Sequence, residues 1–378
     1  MNLAIEEEHF LMSEYIFVLV WLVLCVAFAT AVNSVHQINV LGKKELRHYW
    51  WYALIVILPL IYFAGVRDLS FGDSYVYSES YAALPNNLSE LIPYLSDISK
   101  DKGFYFLSGI IKILFGSNTT VYFWVLAAIQ GLIIAWLYRK YSTSYVTSIF
   151  LFIASSDYLS WMQNGIRQFT AVTIILAATT LMLRKKYIPL ILVILIASTV
   201  HQSALLMLPI VFIAQGKAWN KKTIMALIAM LLAIAFVDQF TGILDTMLAD
   251  TQYGNVVSDW QSWNDDGTNP LRVLVYSVPT ILSLIGIRYI RNADDPVINL
   301  CCNMSVITTA LYCLSIFTSG VFLGRLPIYT SLYSVGILLP WEVNNLFTEK
   351  SAKLVKVVMI LAYIAFYYYQ MHFTWALL

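Results

Sequence analysis

Residues 119–138 read TTVYFWVLAAIQGLIIAWLY, and Arg139 and Lys140 follow at once. An uncharged helix of this length spans about 30 Å, the thickness of the hydrocarbon core of a bilayer. Similar stretches recur along the chain, in which 60% of the 378 residues are hydrophobic and 12% are charged. Such a composition leaves too little polar surface for a water-soluble globule. We therefore predict an all-α polytopic membrane protein with about twelve transmembrane helices, at 14–32, 49–66, 119–138, 145–160, 169–183, 187–200, 202–215, 222–238, 271–287, 297–317, 326–341 and 354–371.

The basic residues indicate which way each loop faces, because cytoplasmic loops carry the excess of lysine and arginine. The short apolar stretch 104–115 contains Lys112, and we treat it as a half-helix that does not cross. Sixteen of the 23 basic residues then share one side, at positions 43, 44, 47, 139, 140, 184, 185, 186, 217, 221, 222, 288, 291, 350, 353 and 356. The other seven share the opposite, outer side: Arg67, Lys100, Lys102, Lys112, Arg167, Arg272 and Arg325. Two long loops, 67–103 and 239–270, also face outward, where we expect them to cover a single membrane domain of residues 1–378.

The remaining composition excludes several classes of function. A net charge of +1 gives no basic surface for nucleic acid, so we expect no nucleic-acid partner. The four cysteines lie in apolar stretches without the spacing of a zinc site or a disulfide framework. The sequence contains no Walker loop, dinucleotide fingerprint, HExxH or GxSxG motif, and no Asp-x-Asp pair of the kind that holds a metal in sugar-nucleotide transferases. We expect neither a metal nor another cofactor.

Polar residues gather at the end of the predicted span 49–66, in the segment VRDLSFGDSYVY. Arg67, Asp68, Asp73 and Tyr75 lie there within nine residues, at the outer interface. The alternative interpretation is a surface cluster of charges beside the aromatic belt that membrane proteins carry regardless of function.

A second polar segment, SSDYLSWMQNGIRQFTAV, joins the predicted spans 145–160 and 169–183. The helical spacing of Asp157, Trp161, Asn164 and Gln168 predicts one polar stripe, with Arg167 at the start of the next helix. Anions are favoured at a helix N-terminus. The alternative is an Arg167–Asp157 pair that holds two spans together.

Two further segments complete the outer face. In ASTVHQSALLMLP, His201 lies between spans and could accept a proton near neutral pH, although a histidine that only satisfies buried polar groups explains it equally well. In SGVFLGRLPIYTSLY, Arg325 lies at the outer start of a span, where a snorkelling interfacial arginine is the competing explanation. Three arginines from separate parts of the chain on one face predict an anion site formed by Arg67, Arg167 and Arg325.

The segments NGIRQFTA and ASTVHQSALLMLP, with the upstream GVRDLSFGDSYVY and the late GRLPIYTSLY, resemble in order and spacing the EpsG branch of the Wzy-type polysaccharide polymerases. The resemblance covers roughly residues 50–340. It implies a helical bundle similar to the GT-C-like lipid-dependent glycosyltransferases. It also implies polymerisation of O-antigen, capsule or exopolysaccharide repeat units that are linked to undecaprenyl pyrophosphate, at the periplasmic face of the bacterial inner membrane. A chain-length regulator and a flippase are the protein partners that it suggests, beside membrane lipid.

On this resemblance Arg167 and Arg325 would face the pyrophosphate leaving group, with Arg67 as a third candidate, while Asp68, Asn164, Gln168 and Tyr75 would contact pyrophosphate or sugar. Either His201 or Asp73 would take the proton of the acceptor hydroxyl. Two other classes stay open, namely a transporter or flippase of lipid-linked oligosaccharide, and a ligase or acyltransferase of surface glycan. Arginines at one face favour a one-sided enzyme over a carrier.

Overall fold

The structure, a computed structural model, describes residues 2–248, 267–320 and 322–377. The first helix and a β-hairpin are followed by a series of helices up to residue 205: α1 Asn2–Ala31, β1 Val35–Val40, β2 Lys43–His48, α2 Trp50–Gly65, α3 Ser74–Ala82, α4 Leu88–Asp97, α5 Lys102–Phe115, α6 Thr119–Tyr141, α7 Tyr145–Ala154, a π-helix Tyr158–Asn164, α8 Ile166–Ala177, α9 Thr179–Leu183 and α10 Tyr187–Val200. A 3₁₀ turn, Gln202–Leu206, comes next.

The rest of the described chain is also helical: α11 Met207–Ile213, α12 Lys221–Ala235, α13 Val237–Leu248, α14 Pro270–Ile285, α15 Ile287–Ala293, α16 Pro296–Ile316, a 3₁₀ turn Leu323–Arg325, α17 Ile328–Tyr333, a π-helix Ser334–Leu338, α18 Leu339–Asn345, α19 Glu349–Tyr369 and a π-helix Gln370–Thr374. The chain forms two compact units. The first comprises residues 1–205 and 353–378, and the second comprises residues 206–352.

The described helices are those of a multi-pass membrane protein. Four are long and apolar enough to cross a bilayer, at 14–31, 119–141, 296–316 and 349–374, and the number rises to six if each of two bent pairs is one span. Every one of the twelve stretches predicted to cross is largely helical. Several of them, α7, α8 and α10 among them, have only 10–14 residues. Twelve crossings therefore stay a prediction. Residues 249–266 of the predicted loop 239–270 lie outside the described part of the chain.

The β-hairpin departs from the all-α prediction. Its strands pair antiparallel from Val35 opposite His48 to Val40 opposite Lys43. Leu41 and Gly42 both have positive φ, 51° and 93°, as the tightest hairpin turns require. The all-α prediction leaves these residues as the loop between the predicted spans 14–32 and 49–66.

The first unit is held together by hydroxyl and amide groups that reach from one helix to the next. Tyr158 donates to the carbonyl of Leu60 on α2 at 2.8 Å. The amide of Gln130, which is buried in the middle of α6, donates to Oγ1 of Thr170 on α8 at 2.9 Å. Inside an apolar bundle such bonds replace the water that these groups would otherwise bind. They hold the π-helix Tyr158–Asn164 against α2, and α6 against α8.

The second unit is built around α16, almost all of which is buried. Asn303 on this helix accepts from the amide of Trp219 at 2.9 Å and donates to the carbonyl of Ala214 at 2.9 Å. Asn299, one turn earlier, accepts from the amide of Ala218 at 3.0 Å. The two asparagines thus hold the loop between α11 and α12 against the core of the second unit.

Candidate functional site

Arg167 lies in the first turn of α8, which begins directly after Gly165, three residues before the predicted span 169–183. Its Nη1 donates to Oδ2 of Asp101 at 3.1 Å, and its Cζ lies 5.7 Å from the centre of the Tyr77 ring. The side chain of Asp101 is 3% exposed and that of Arg167 is 37% exposed. One end of the guanidinium is therefore fixed by the protein, while the other part stays accessible.

Asp101 is held in place by its backbone and by a neighbouring helix end. It precedes α5 with a left-handed φ of 53°, which aspartate tolerates better than most residues. The backbone amide of Gln202 donates to its carboxylate. A Cβ on Gly103 would lie 2.2 Å from Oγ1 of Thr199, so only glycine lets the start of α5 approach the end of α10 this closely. Burial raises the pKa of the Asp101 carboxyl above its ordinary value, and the opposing effects of Arg167 and the Gln202 amide do not cancel it.

Asp73 is anchored to the same segment through its backbone. Its amide donates to Oδ1 of Asn164 at 2.9 Å. Gly72 has a φ of 54°, and a Cβ there would lie 2.1 Å from the same oxygen, so this turn requires glycine. The side chain of Asp73 is exposed. α3 therefore contacts the segment around Arg167 at two points. The Asp73 amide at its start binds Asn164, and Tyr77, one turn later, lies against the Arg167 guanidinium.

His201 lies at the end of α10, next to the Gln202 amide that binds Asp101. Its Nδ1 lies 2.7 Å from Oγ of Ser203, and the side chain is half-buried. His201 thus directly precedes the residue whose amide binds Asp101, and Asp73 is bound through its backbone to Asn164, three residues before Arg167.

Arg67 has a different environment from the one that was expected. The prediction placed it in an exposed loop, which is wrong, because its side chain is only 7% exposed. Its Nε donates to the carbonyl of Ala64 at 2.6 Å and its Nη1 to the carbonyl of Gln163 at 2.5 Å. Its Cζ lies 4.6 Å from the centre of the Phe123 ring. These bonds join the end of α2 to the π-helix Tyr158–Asn164 and give Arg67 a structural role.

The predicted polar stripe from Asp157 to Gln168 is also wrong, because no single helix runs through it. α7 ends at Ala154, Ser156 has a φ of 67°, and Gly165 separates the π-helix from α8. The Asp157 carboxylate accepts from Oγ of Ser155 at 3.1 Å, and the carboxylate that pairs with Arg167 is Asp101. The alternative Arg167–Asp157 pair is therefore ruled out.

The remaining predicted residues are spread more widely. Asp68 is exposed, and its Oδ1 accepts from the amide of Ser70 at 2.6 Å within its own loop. Gln168 is buried on α8, and Tyr75 is 59% exposed on α3. Arg325 is exposed and ends a 3₁₀ turn in the second compact unit, whereas Arg167 belongs to the first unit.

Sequence reasoning missed Asp101 as a site residue. Asp101 lies between two lysines just before an apolar helix, a position typical of an N-cap. In the structure its side chain does not cap α5 and turns to Arg167 instead. In the described residues, no group of three or more His, Cys, Asp or Glu side chains is arranged to hold a metal ion.

Helical spans of this kind, with a polar site at the helix ends, define a multi-pass membrane protein. The sequence profile of the EpsG family matches residues 50–375, nearly the whole chain. The chain therefore belongs to the EpsG family, a family of polysaccharide polymerases, and the resemblance seen in its motifs is confirmed. Searches of curated proteins and of solved structures found no match.

Proposed function

We propose that this protein is a Wzy-type polymerase that joins undecaprenyl-pyrophosphate-linked oligosaccharide repeat units at the periplasmic face of the bacterial inner membrane. The observation that carries the proposal is Arg167, an accessible guanidinium oriented by the buried Asp101 at the start of α8. Membership of a polysaccharide polymerase family supports the reaction class.

The proposed reaction is glycosyl transfer without nucleotide or metal. The hydroxyl oxygen of the acceptor unit attacks the anomeric carbon of the donor chain, and the bond from that carbon to the pyrophosphate oxygen breaks. Undecaprenyl pyrophosphate leaves with the bonding electron pair. Negative charge therefore develops on the leaving pyrophosphate, and fixed donors aimed at it lower the barrier.

Arg167 has the donors that this step requires. A guanidinium carries five N–H groups in a planar fork, and the bond from Arg167 to Asp101 is made by one nitrogen, Nη1. As at any helix N-terminus, the backbone amides of the first turn of α8 have no acceptor within the helix and can bind an anion. In this proposal Asp101 sets the angle at which Arg167 meets the pyrophosphate. Arg325 is retained as a second pyrophosphate ligand on the basis of the sequence motif alone.

The proton of the acceptor hydroxyl goes to His201 or to Asp73. Substituting His201 by Asn keeps a hydrogen-bonding group next to Ser203 but removes the basic nitrogen. If His201 is the base, His201→Asn loses about a hundredfold or more in rate, as general-base catalysis predicts. If that variant retains full activity, Asp73→Asn is expected to show the loss instead.

The periplasmic placement rests on the distribution of basic residues. Reporters fused after Lys140, Lys186 and Lys222 are expected to give cytoplasmic signals, and reporters within 67–103 or 239–270 periplasmic signals. A cytoplasmic signal from the loop that contains Asp73 would place the Arg167 site on the wrong side for this function.

The test of the function itself is a deletion strain of the native host examined for surface-glycan length. Loss of polymer with single repeat units retained on the surface supports polymerisation. Loss of all units from the surface would support a flippase, and loss of attachment with polymer retained on its lipid would support a ligase.

A further inference from the structure

Tyr77, in the middle of α3, is a second side chain that contacts Arg167. The centre of its ring lies 5.7 Å from the Arg167 Cζ, and its hydroxyl accepts a hydrogen bond from the Arg167 side chain. Only 7% of Tyr77 is exposed, which leaves little of the ring for a ligand to touch. Any effect of Tyr77 on a bound substrate must therefore be exerted through Arg167.

Tyr77 also packs against α5, the helix that Asp101 precedes. Phe104 is 2% exposed, and the centre of its ring lies 6.0 Å from that of Tyr77 with an angle of 62° between the planes. Edge-to-face pairs of this kind are a favourable arrangement of aromatic rings. The Phe104 amide donates to the carbonyl of Asp101 at 2.8 Å. The start of α5 thus holds both partners of Arg167, Asp101 directly and Tyr77 through Phe104.

Lys112, one of the basic residues predicted on the outer side, fixes α3 to the C-terminal part of α5. It is 4% exposed, and its Nζ donates to the carbonyls of Ala82 and Leu84 at 2.8 and 2.5 Å. The last carbonyls of a helix have no donor within it, and a lysine can supply one. The Tyr81 hydroxyl adds a bond to the carbonyl of Gly116, directly after α5, at 2.6 Å. These bonds fix the end of α3 that follows Tyr77.

We propose that Tyr77 is a positioning residue for Arg167, and that Lys112 supports it by fixing α3 to α5. The single bond from Nη1 to Asp101 leaves the guanidinium free to rotate about it. A second contact, from the ring and hydroxyl of Tyr77, removes that freedom and fixes the plane of the group. A donor aimed at a developing charge is most effective when it is held in place before the reaction. What Arg167 binds is taken from the proposed function, on which this inference rests.

The first experiment is a double-mutant cycle between Tyr77 and Arg167, with the full-length protein in lipid nanodiscs. It measures the rate of polymerisation of the lipid-linked single repeat unit, purified from a polymerase-deletion strain of the native host. Tyr77→Leu is expected to lower the rate about tenfold in the wild-type background, equivalent to about 1.4 kcal/mol. In the Arg167→Lys background it should cost less than about twofold, because the effects of residues that act through one another are not additive.

Two further variants sharpen the cycle. Tyr77→Phe keeps the ring and loses only the hydroxyl, so it should lower the rate by about threefold, less than Tyr77→Leu does. Val76→Ala truncates an exposed neighbour on the same helix and is expected to leave the rate unchanged. A tenfold loss from Tyr77→Leu in both backgrounds would make its effect independent of Arg167 and overturn the positioning role. A wild-type rate for Tyr77→Leu would overturn it as well.

A second experiment measures the contact itself, without the reaction. Phenylglyoxal modifies accessible arginines, and its rate at Arg167 is followed by mass spectrometry in native membranes. In Tyr77→Leu this rate is expected to rise by up to about threefold, because the Arg167 side chain is 37% exposed and loses a contact that holds it. The exposed Arg184, in the same compact unit, should be modified at the wild-type rate. An unchanged rate at Arg167 would overturn the proposal.

Lys112→Gln tests the support from α5. It keeps one amide donor near the end of α3 but loses the charge and the reach of the ammonium, and we expect modification of Arg167 to rise about twofold. An unchanged rate at Arg167 would overturn the supporting role of Lys112. Absence of the folded variant from the membrane would restrict Lys112 to folding and overturn that role too.

The two experiments separate this inference from the proposed function. If Arg167→Lys polymerises like the wild type while Tyr77→Leu still speeds the modification of Arg167, the proposed role of Arg167 fails and the positioning contact stands. If Arg167→Lys loses polymerisation while Tyr77→Leu changes neither the rate nor the modification, the role of Arg167 stands and the positioning role of Tyr77 fails.

Discussion

Arg67 and Arg167 belong to the same predicted face and to neighbouring motifs, but their environments are opposite. Arg67 is enclosed, with two of its nitrogens bound to the backbone carbonyls of Ala64 and Gln163. Arg167 is bound to a side-chain carboxylate, that of Asp101, and more than a third of its side chain is accessible. A guanidinium that binds backbone carbonyls joins two elements of the fold, whereas one that is oriented by a buried carboxylate and open on the other side is suited to bind a ligand.

The largest expected effect is on folding, at Arg67. Arg67→Ala leaves two buried carbonyls without a donor and should lower the free energy of unfolding by on the order of 3 kcal/mol. We expect a sharp loss of folded protein in the membrane and a lower unfolding midpoint in detergent. Lys102→Ala removes an exposed cation of the same predicted face and is expected to leave both unchanged. A wild-type midpoint for Arg67→Ala would refute its structural role.

At Arg167 the expected effect is on rate rather than on folding. Arg167→Lys keeps the charge but loses the planar fork that can hold two phosphate oxygens at once. We expect polymerisation to fall about a hundredfold, the usual cost of losing one donor to a developing charge, with an unfolding midpoint close to that of the wild type. If folded Arg167→Lys protein failed to accumulate in the membrane, Arg167 would have a structural role like that of Arg67 instead.

Asp101 is expected to show a smaller effect that depends on pH. Asp101→Asn keeps an acceptor for the Gln202 amide but removes the charge that orients Arg167, and we expect about a tenfold loss of rate, equivalent to about 1.4 kcal/mol. Because burial raises the pKa of Asp101, the folded protein protonates this carboxyl at a higher pH than an ordinary aspartate.

The sign of the pH effect follows from this shift. As pH falls through the raised pKa, the Asp101–Arg167 pair is lost and polymerisation by the wild type should decrease, while this group alone would make folding more favourable at the lower pH. In Asp101→Asn this acidic loss should be absent. Asp97→Asn, at an exposed aspartate of the preceding helix, should keep the wild-type profile. The same acidic loss in Asp101→Asn as in the wild type would contradict the positioning role.

The smallest expected effect is at Asn164, whose Oδ1 accepts from the Asp73 amide. Asn164→Ala removes one partly exposed hydrogen bond of about 1 kcal/mol, and we expect roughly a fivefold loss of polymerisation together with faster hydrogen exchange in the loop 67–73. Asn87→Ala removes the N-cap of α4 in the same predicted loop and should affect only that helix. Unchanged exchange in Asn164→Ala would show that Gly72 alone holds the turn.

The helices could be predicted from the sequence where apolarity alone determines them. The stretch 119–138 became α6, and 187–200 became α10 with the predicted limits. The hairpin was missed because its determinant is a turn of two residues, Leu41 and Gly42, rather than a long pattern. The π-helix was missed because a pattern of period 3.6 continues through it.

For the site, sequence could identify Arg167, Asn164 and His201 because polar residues are rare between apolar spans. It could not identify Asp101 as the partner of Arg167, since 66 residues separate them and Asp157 is nearer in the chain. Nor could it distinguish the buried Arg67 from the accessible Arg167. Arg67 is buried because the end of α2 packs against the π-helix Tyr158–Asn164, and only the tertiary structure shows this contact.

The most direct test of the central claim is the affinity of the purified, folded protein for undecaprenyl pyrophosphate in nanodiscs. If Arg167 binds the leaving group, Arg167→Ala should raise the Kd at least about tenfold, which corresponds to about 1.4 kcal/mol. Lys102→Ala should leave the Kd unchanged. A wild-type Kd for Arg167→Ala, in protein with a wild-type unfolding midpoint, would contradict the claim that Arg167 binds pyrophosphate.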